Sequence, residues 1–113
     1  MTSLGSCNGS TSRPRRLPSS RGSIKTLTRV NDAVVRLGVL EGDFHWHKHD
    51  EEDEFFLVLD GELQIDVEDR DMIVLGPNQG VTIPKGVLHR TRAPKRTVVL
   101  MVEPATVVPT GDA

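Results

Sequence analysis

The chain has one cysteine, Cys7, so no disulfide can close within a single chain and no cysteine-based zinc site can form. No apolar run reaches the ~18 residues that a membrane-spanning helix needs. No hydrophobic segment near the start resembles a secretory signal. Helical periodicity of useful length is missing as well. These absences lead to the expectation of a soluble, cytoplasmic protein with no membrane partner.

Negative charge is missing from one end only. No acidic residue precedes Asp32, whereas Arg13, Arg15, Arg16, Arg21, Lys25 and Arg29 all do. Residues 1–23 are rich in Ser, Thr, Gly, Arg and Pro and have almost nothing apolar to bury. Such a stretch cannot offset the entropy of ordering it, so a disordered basic arm is expected over 1–23 and one folded domain over 24–113. From Asp32 onward the chain holds all 16 acidic residues against 8 basic ones, a formal charge of about −8. A body that acidic is not expected to bind nucleic acid through its folded surface.

From Ala33 onward the pattern is β. Ala33 to Leu40 is rich in β-branched residues and leucine and runs into the turn cluster Glu41-Gly42-Asp43. Phe44 to His49 alternates. Phe55 to Leu59 is a continuous apolar run of strand length, and Asp60-Gly61 gives a two-residue hairpin signal. Leu63, Ile65 and Val67 alternate with Gln64, Asp66 and Glu68, as a half-buried strand does. Shorter strands follow at Met72 to Leu75, Val81 to Ile83 and Val87 to Thr91, with a last long one from Arg96 to Glu103. Eight or so strands at this spacing predict an all-β sandwich or barrel. Exposed sheet edges in so small a barrel favour a homodimer.

The histidines are His45, His47, His49 and His89. Side chains two apart on a strand share a face, so His47 and His49 can converge on one point. A carboxylate and one more imidazole can complete a metal site there. Imidazole and carboxylate together suit a divalent Mn, Fe, Co, Ni or Zn ion. Four protein ligands around an octahedral ion leave positions open for a substrate. The neighbouring acidic run Asp50-Glu51-Glu52-Asp53 reads as a solvated loop, and Trp46, between the histidines, is expected in a core. Arg36, Arg70, Arg90 and Arg92 read as surface residues by default.

Gly42 through Gly61 (GDFHWHKHDEEDEFFLVLDG) resembles the first motif of the cupin superfamily, and Pro84 to His89 (PKGVLH) resembles its second. The resemblance implies a double-stranded β-helix, or jelly-roll barrel, with a metal ion held near its mouth by two histidines, a glutamate and a third histidine. Six residues separate Glu54 from Gly61, as the first motif requires. Four more separate His49 from Glu54, so the implied ligands are His47, His49, Glu54 and His89, with His45 a neighbour. Departures fall in loops: Gly42 is one residue too close to His47, and Asn78 stands where a glycine is expected. Asparagine tolerates positive φ better than most residues do. The resemblance allows a metal-dependent enzyme acting on a small molecule, of the dioxygenase or of the sugar isomerase or epimerase type, with Glu54 able to take a proton. It also allows a non-catalytic metal or ligand sensor.

Overall fold

The computed structural model describes residues 20–107. Cys7 and residues 1–19 of the expected arm lie outside that range. The last four residues of that arm, Ser20 to Ser23, open a strand. Seven strands follow in order: β1 (Ser20–Val30), β2 (Ala33–Asp43), β3 (Glu54–Asp60), β4 (Leu63–Val67), β5 (Ile73–Leu75), β6 (Gly80–Ile83) and β7 (His89–Pro104). All pairings are antiparallel. The architecture is the all-β jelly roll expected, and no helix among the described residues is long and apolar enough to cross a membrane.

β7 holds the barrel together. The sequence suggested two strands here, but one chain segment of 16 residues runs through both halves of the molecule. Its first part pairs with β4 from His89 to Arg92, and its second pairs with β3 from Val98 to Val102. β2 lies along its other edge, with a register shift between Leu40 and Gly42. Pro94-Lys95-Arg96 bulges out at that shift and is exposed, because proline has no N–H to give the ladder. The strand bends at this point instead of ending.

The connection between β3 and β4 is a corner rather than the expected hairpin, since the two strands do not pair with each other. Asp60-Gly61 carries the chain from one half of β7 to the other. A Cβ on Gly61, whose φ is +96°, would lie 2.5 Å from Thr97 Oγ1 and 2.8 Å from the Arg96 carbonyl oxygen. The buried Thr97 hydroxyl fastens the corner, accepting from Glu62 N at 3.1 Å and lying 3.0 Å from the Glu62 carbonyl. The glycine allows a close approach of two backbones, which a local hairpin signal cannot distinguish from a tight turn.

Core residues come from β2 through β7: Leu40, Phe56, Val58, Ile65, Leu75, Ile83 and Val99 are among them. The alternation foreseen in β4 is present, with Leu63, Ile65 and Val67 buried. β1 contributes nothing to this cluster and pairs only with β2, through a two-residue turn at Asn31-Asp32. That strand was not evident in the sequence. Its basic and hydroxyl side chains resemble the arm before it, and a bulge at Leu27 breaks its alternation. Asn78 does adopt a positive φ, 66°.

The corner predicts a ranking. Gly61→Ala and Gly86→Ala both place a Cβ at positive φ, but nothing lies within 4 Å of the Gly86 position. Gly86→Ala should cost about 1–2 kcal/mol, and Gly61→Ala clearly more. Urea unfolding of both variants checks this, and equal losses would contradict the corner.

Candidate metal centre

The segment carrying three histidines was expected as a strand, yet β2 ends at Asp43. Phe44 to Asp53 instead lies along β7 by isolated contacts. Phe44 N donates to the Thr91 carbonyl at 3.0 Å. His47 and His89 exchange two backbone hydrogen bonds, both 2.9 Å, in a single bridge. Gly86 N donates to the His49 carbonyl at 2.7 Å, which sets the Pro84-Lys85-Gly86 turn against the histidine segment. Asp53 adds a second tie by accepting from Lys85 N at 2.9 Å. The two motif segments are thus joined by main-chain bonds before any side chain is considered.

That frame brings the side chains together. The ligand atoms of His47, His49 and Glu54 lie within 4.8 Å of one another. Glu54 opens β3 and points inward with Phe56 and Val58, so it is buried while Asp50, Glu51 and Asp53 stay exposed. Its Oε1 lies 3.3 Å from His49 Nε2 and 3.7 Å from His89 Nε2. The His47 and His89 rings are 4.6 Å apart between centroids. His49 and His89 are almost wholly buried, at 2% and 1% exposure. That depth excludes the ordinary surface role of histidine.

The ring nitrogens are oriented for a cation. His89 Nδ1 sits 2.9 Å from the Val87 carbonyl, and His47 Nδ1 sits 3.1 Å from the His45 carbonyl. A carbonyl only accepts, so in each ring Nδ1 carries a proton, and in the neutral imidazole Nε2 is then the atom with the lone pair. His89 Nε2 and Glu54 Oε1 are buried and make no hydrogen bond. Buried polar atoms are normally satisfied. A carboxylate oxygen and imidazole lone pairs facing one point therefore fit a divalent ion.

Titration follows the same geometry. Burial raises the Glu54 carboxyl, but the side chains of His49, His89 and Glu103 outweigh it and hold the group well below the usual carboxylate range. Burial lowers His47, only partly opposed by the His45 carbonyl, and the neighbouring His89 lowers it further. Both shifts leave the groups in the states that coordinate a metal.

Some neighbours differ from expectation. Trp46 is not in a core: it is 44% exposed, with the Arg90 guanidinium 5.4 Å from its ring centre. The segment leaves the sheet before Trp46, so the face opposite the ligands is solvent. Arg90 and Arg92 pair with Asp66, from 2.7 Å upward. Arg36 is not a surface residue. It forms an ion pair with Glu103, whose carboxylate is buried and raised by burial and by Glu54, with Arg36 pulling the other way. No local pattern marks this pair, because Arg36 and Glu103 are far apart in the chain and meet only across β2 and β7.

Beside the centre lies a cavity of about 320 Å³ with His47 and Glu54 in its wall. His45 also lines it.

Residues 33–103 match the Cupin_2 family, described as a cupin domain. The Bacillus subtilis protein YdbB is 50% identical over 78 residues, which make up 69% of this chain and 69% of that protein. A cupin-2 domain protein from Shewanella frigidimarina has a TM-score of 0.70 at 36% identity, covering 73% of this chain and 79% of the other. The DMSP lyase DddQ from Ruegeria pomeroyi has a TM-score of 0.67 at 21% identity, covering 77% of this chain and 48% of the lyase, a likeness of fold. With both histidine segments inside the matched region, the chain belongs to the cupin domain family.

Proposed function

We propose that the protein is a metal-dependent enzyme acting on a small molecule, with one divalent transition-metal ion held by His47, His49, Glu54 and His89. The observation that carries this reading is the buried contact of Glu54 Oε1 with two imidazoles, 3.3 Å from His49 and 3.7 Å from His89. A buried structural ion pair would need no cavity beside it, whereas this one borders a cavity of about 320 Å³. Such an ion, when bound, supplies Lewis acidity towards a carbonyl or enol oxygen and, if redox-active, chemistry with dioxygen.

The chain's own residues do the rest. His47 and His89 are aimed by the carbonyls behind their Nδ1 atoms, so their Nε2 atoms are presented without reorganisation. Glu54 stays ionised at neutral pH and contributes the negative charge of the centre. A carboxylate held so far down is a weak base, so it accepts a substrate proton only after leaving His49 and His89. The apolar surroundings limit water and strengthen each of these interactions.

Elemental analysis of the full chain purified without added metal should find close to one transition-metal ion per chain. Finding none, even after reconstitution, contradicts the reading. His49→Ala should weaken binding by more than the about 10–100-fold that loss of an outer partner costs, whereas His45→Ala should retain the metal; the reverse ranking would move the ligand register by two residues. Protons compete with the ion for neutral imidazole, and His47 is lowered from its ordinary 6.5. Release to a colorimetric chelator should therefore reach its midpoint below pH 6.5, and complete release at neutral pH would contradict this. Turnover with the ferrous form, followed as oxygen uptake over diketones, catechols and thiols, tests the dioxygenase type, and conversion of sugar phosphates tests the isomerase type. Tight ligand binding without turnover in either assay would replace the enzyme by a sensor.

A further inference from the structure

The cavity beside the metal centre has a polar side, with His45, His47, Glu54, Thr91 and Glu103, and a larger apolar side. Leu40, Phe44, Phe56 and Met101 form most of its wall, and no lysine or arginine among the described residues lines it. Its outer wall is β1, the strand that adds nothing to the core. Gly22 pairs with Leu40 and Ile24 with Gly38, so both face inward with the inner face of β2. Ile24 is 45% exposed there, a large apolar side chain lining open space. Arg21 and Lys25, at the alternate positions, belong to the other face of the strand. β1 therefore separates its charges from the cavity even though it is basic overall.

Arg36, the cation nearest the centre, is held by its neighbours and does not line the cavity. Arg36 is engaged by Glu103 and by the hydroxyl of Thr26, with Arg36 Nε 3.3 Å from Thr26 Oγ1. Glu54 offsets one charge of a divalent ion. No lysine or arginine among the described residues lines the cavity to receive the roughly −1.5 to −2 of a phosphate monoester. A sugar carries hydroxyls all round its ring, so even with His45, Thr91 and Glu103 on one side, those turned to Ile24, Leu40, Phe44 and Met101 would lack hydrogen-bond partners, each a costly burial.

We propose that the ligand of this cavity is a small molecule with an apolar body and an oxygen-donor head of at most one negative charge, such as an enolisable 1,3-dicarbonyl, and not a phosphorylated sugar. The volume, about 320 Å³, lies at the small end of the roughly 300–1,000 Å³ range of small-molecule sites. The oxygen head rests on the metal reading above; the apolar body does not. In the bound arrangement the head lies at His47 and Glu54, and the body lies between β1 and the Phe44–Met101 wall.

Isothermal titration of the metal-loaded full chain with 1-phenyl-1,3-butanedione, glucose 6-phosphate and inorganic phosphate tests this directly. Binding of the diketone with no binding of either phosphate is the expected result. Binding of the phosphates without the diketone overturns the proposal. Gly22→Leu fills the cavity from β1, because a Cβ there already lies 3.2 Å from the Phe44 ring. It should weaken diketone binding about tenfold or more with metal content unchanged. Ile24→Lys, at an exposed position of the same strand, should do likewise and guards against a folding defect in the first variant. Unaltered affinity in both variants overturns the placement of the body. If the chain takes up no metal, the metal reading fails by itself. The apolar body is then tested on the metal-free chain with 4-phenyl-2-butanone: binding lost in Gly22→Leu supports it, and absence of binding overturns it.

Discussion

Two backbone hydrogen bonds between His47 and His89, each 2.9 Å, hold the functional half of this molecule in place. They lie outside any continuous ladder and join segments about forty residues apart. Without them the stretch from Phe44 to Asp53 would keep only the ties of Phe44 to Thr91, His49 to Gly86 and Asp53 to Lys85. With them, two imidazoles stand side by side and a third follows two residues on. Glu54, rigid at the head of β3, meets them from the opposite direction. The main chain thus bears the cost of ordering, and the side chains need only adopt rotamers to form a centre.

β7 makes that arrangement possible because it belongs to both halves of the barrel. Its first residues present His89 beside β4, and its later residues carry Val99 and Met101 into the core and Glu103 to Arg36. A bend at Pro94 to Arg96 and the Gly61 corner let one strand do both. The centre is therefore tied to the core through a single stretch of backbone, and disturbance of the corner should be felt at His89 and its neighbours.

Much of this could be read from the chain. The alternation of Leu63, Ile65 and Val67 fixed which face of β4 is buried, and the intervals from Gly61 back to His47 separated Glu54 from the four acidic residues before it. The two motifs carried the fold. What stayed hidden depends on contacts between distant segments. The corner at Asp60-Gly61 looks like a hairpin because local turn chemistry does not say which strands pair. Trp46 looks like a core residue only if the strand continues, and it does not. β1 has too few apolar residues to announce itself, since its inner face meets a cavity instead of a packed interior. The Arg36–Glu103 pair has no local signature at all.

The cavity and the centre form one unit: an apolar chamber with a negatively charged, imidazole-rich corner, enclosed by a strand whose basic residues are turned away. X-ray absorption at the edge of the bound metal, on the full chain, tests the central claim most directly. The account predicts outer-shell scattering from three imidazoles together with inner-shell oxygen from Glu54. A spectrum with fewer than two imidazoles, or with sulfur bound to the ion, would contradict it.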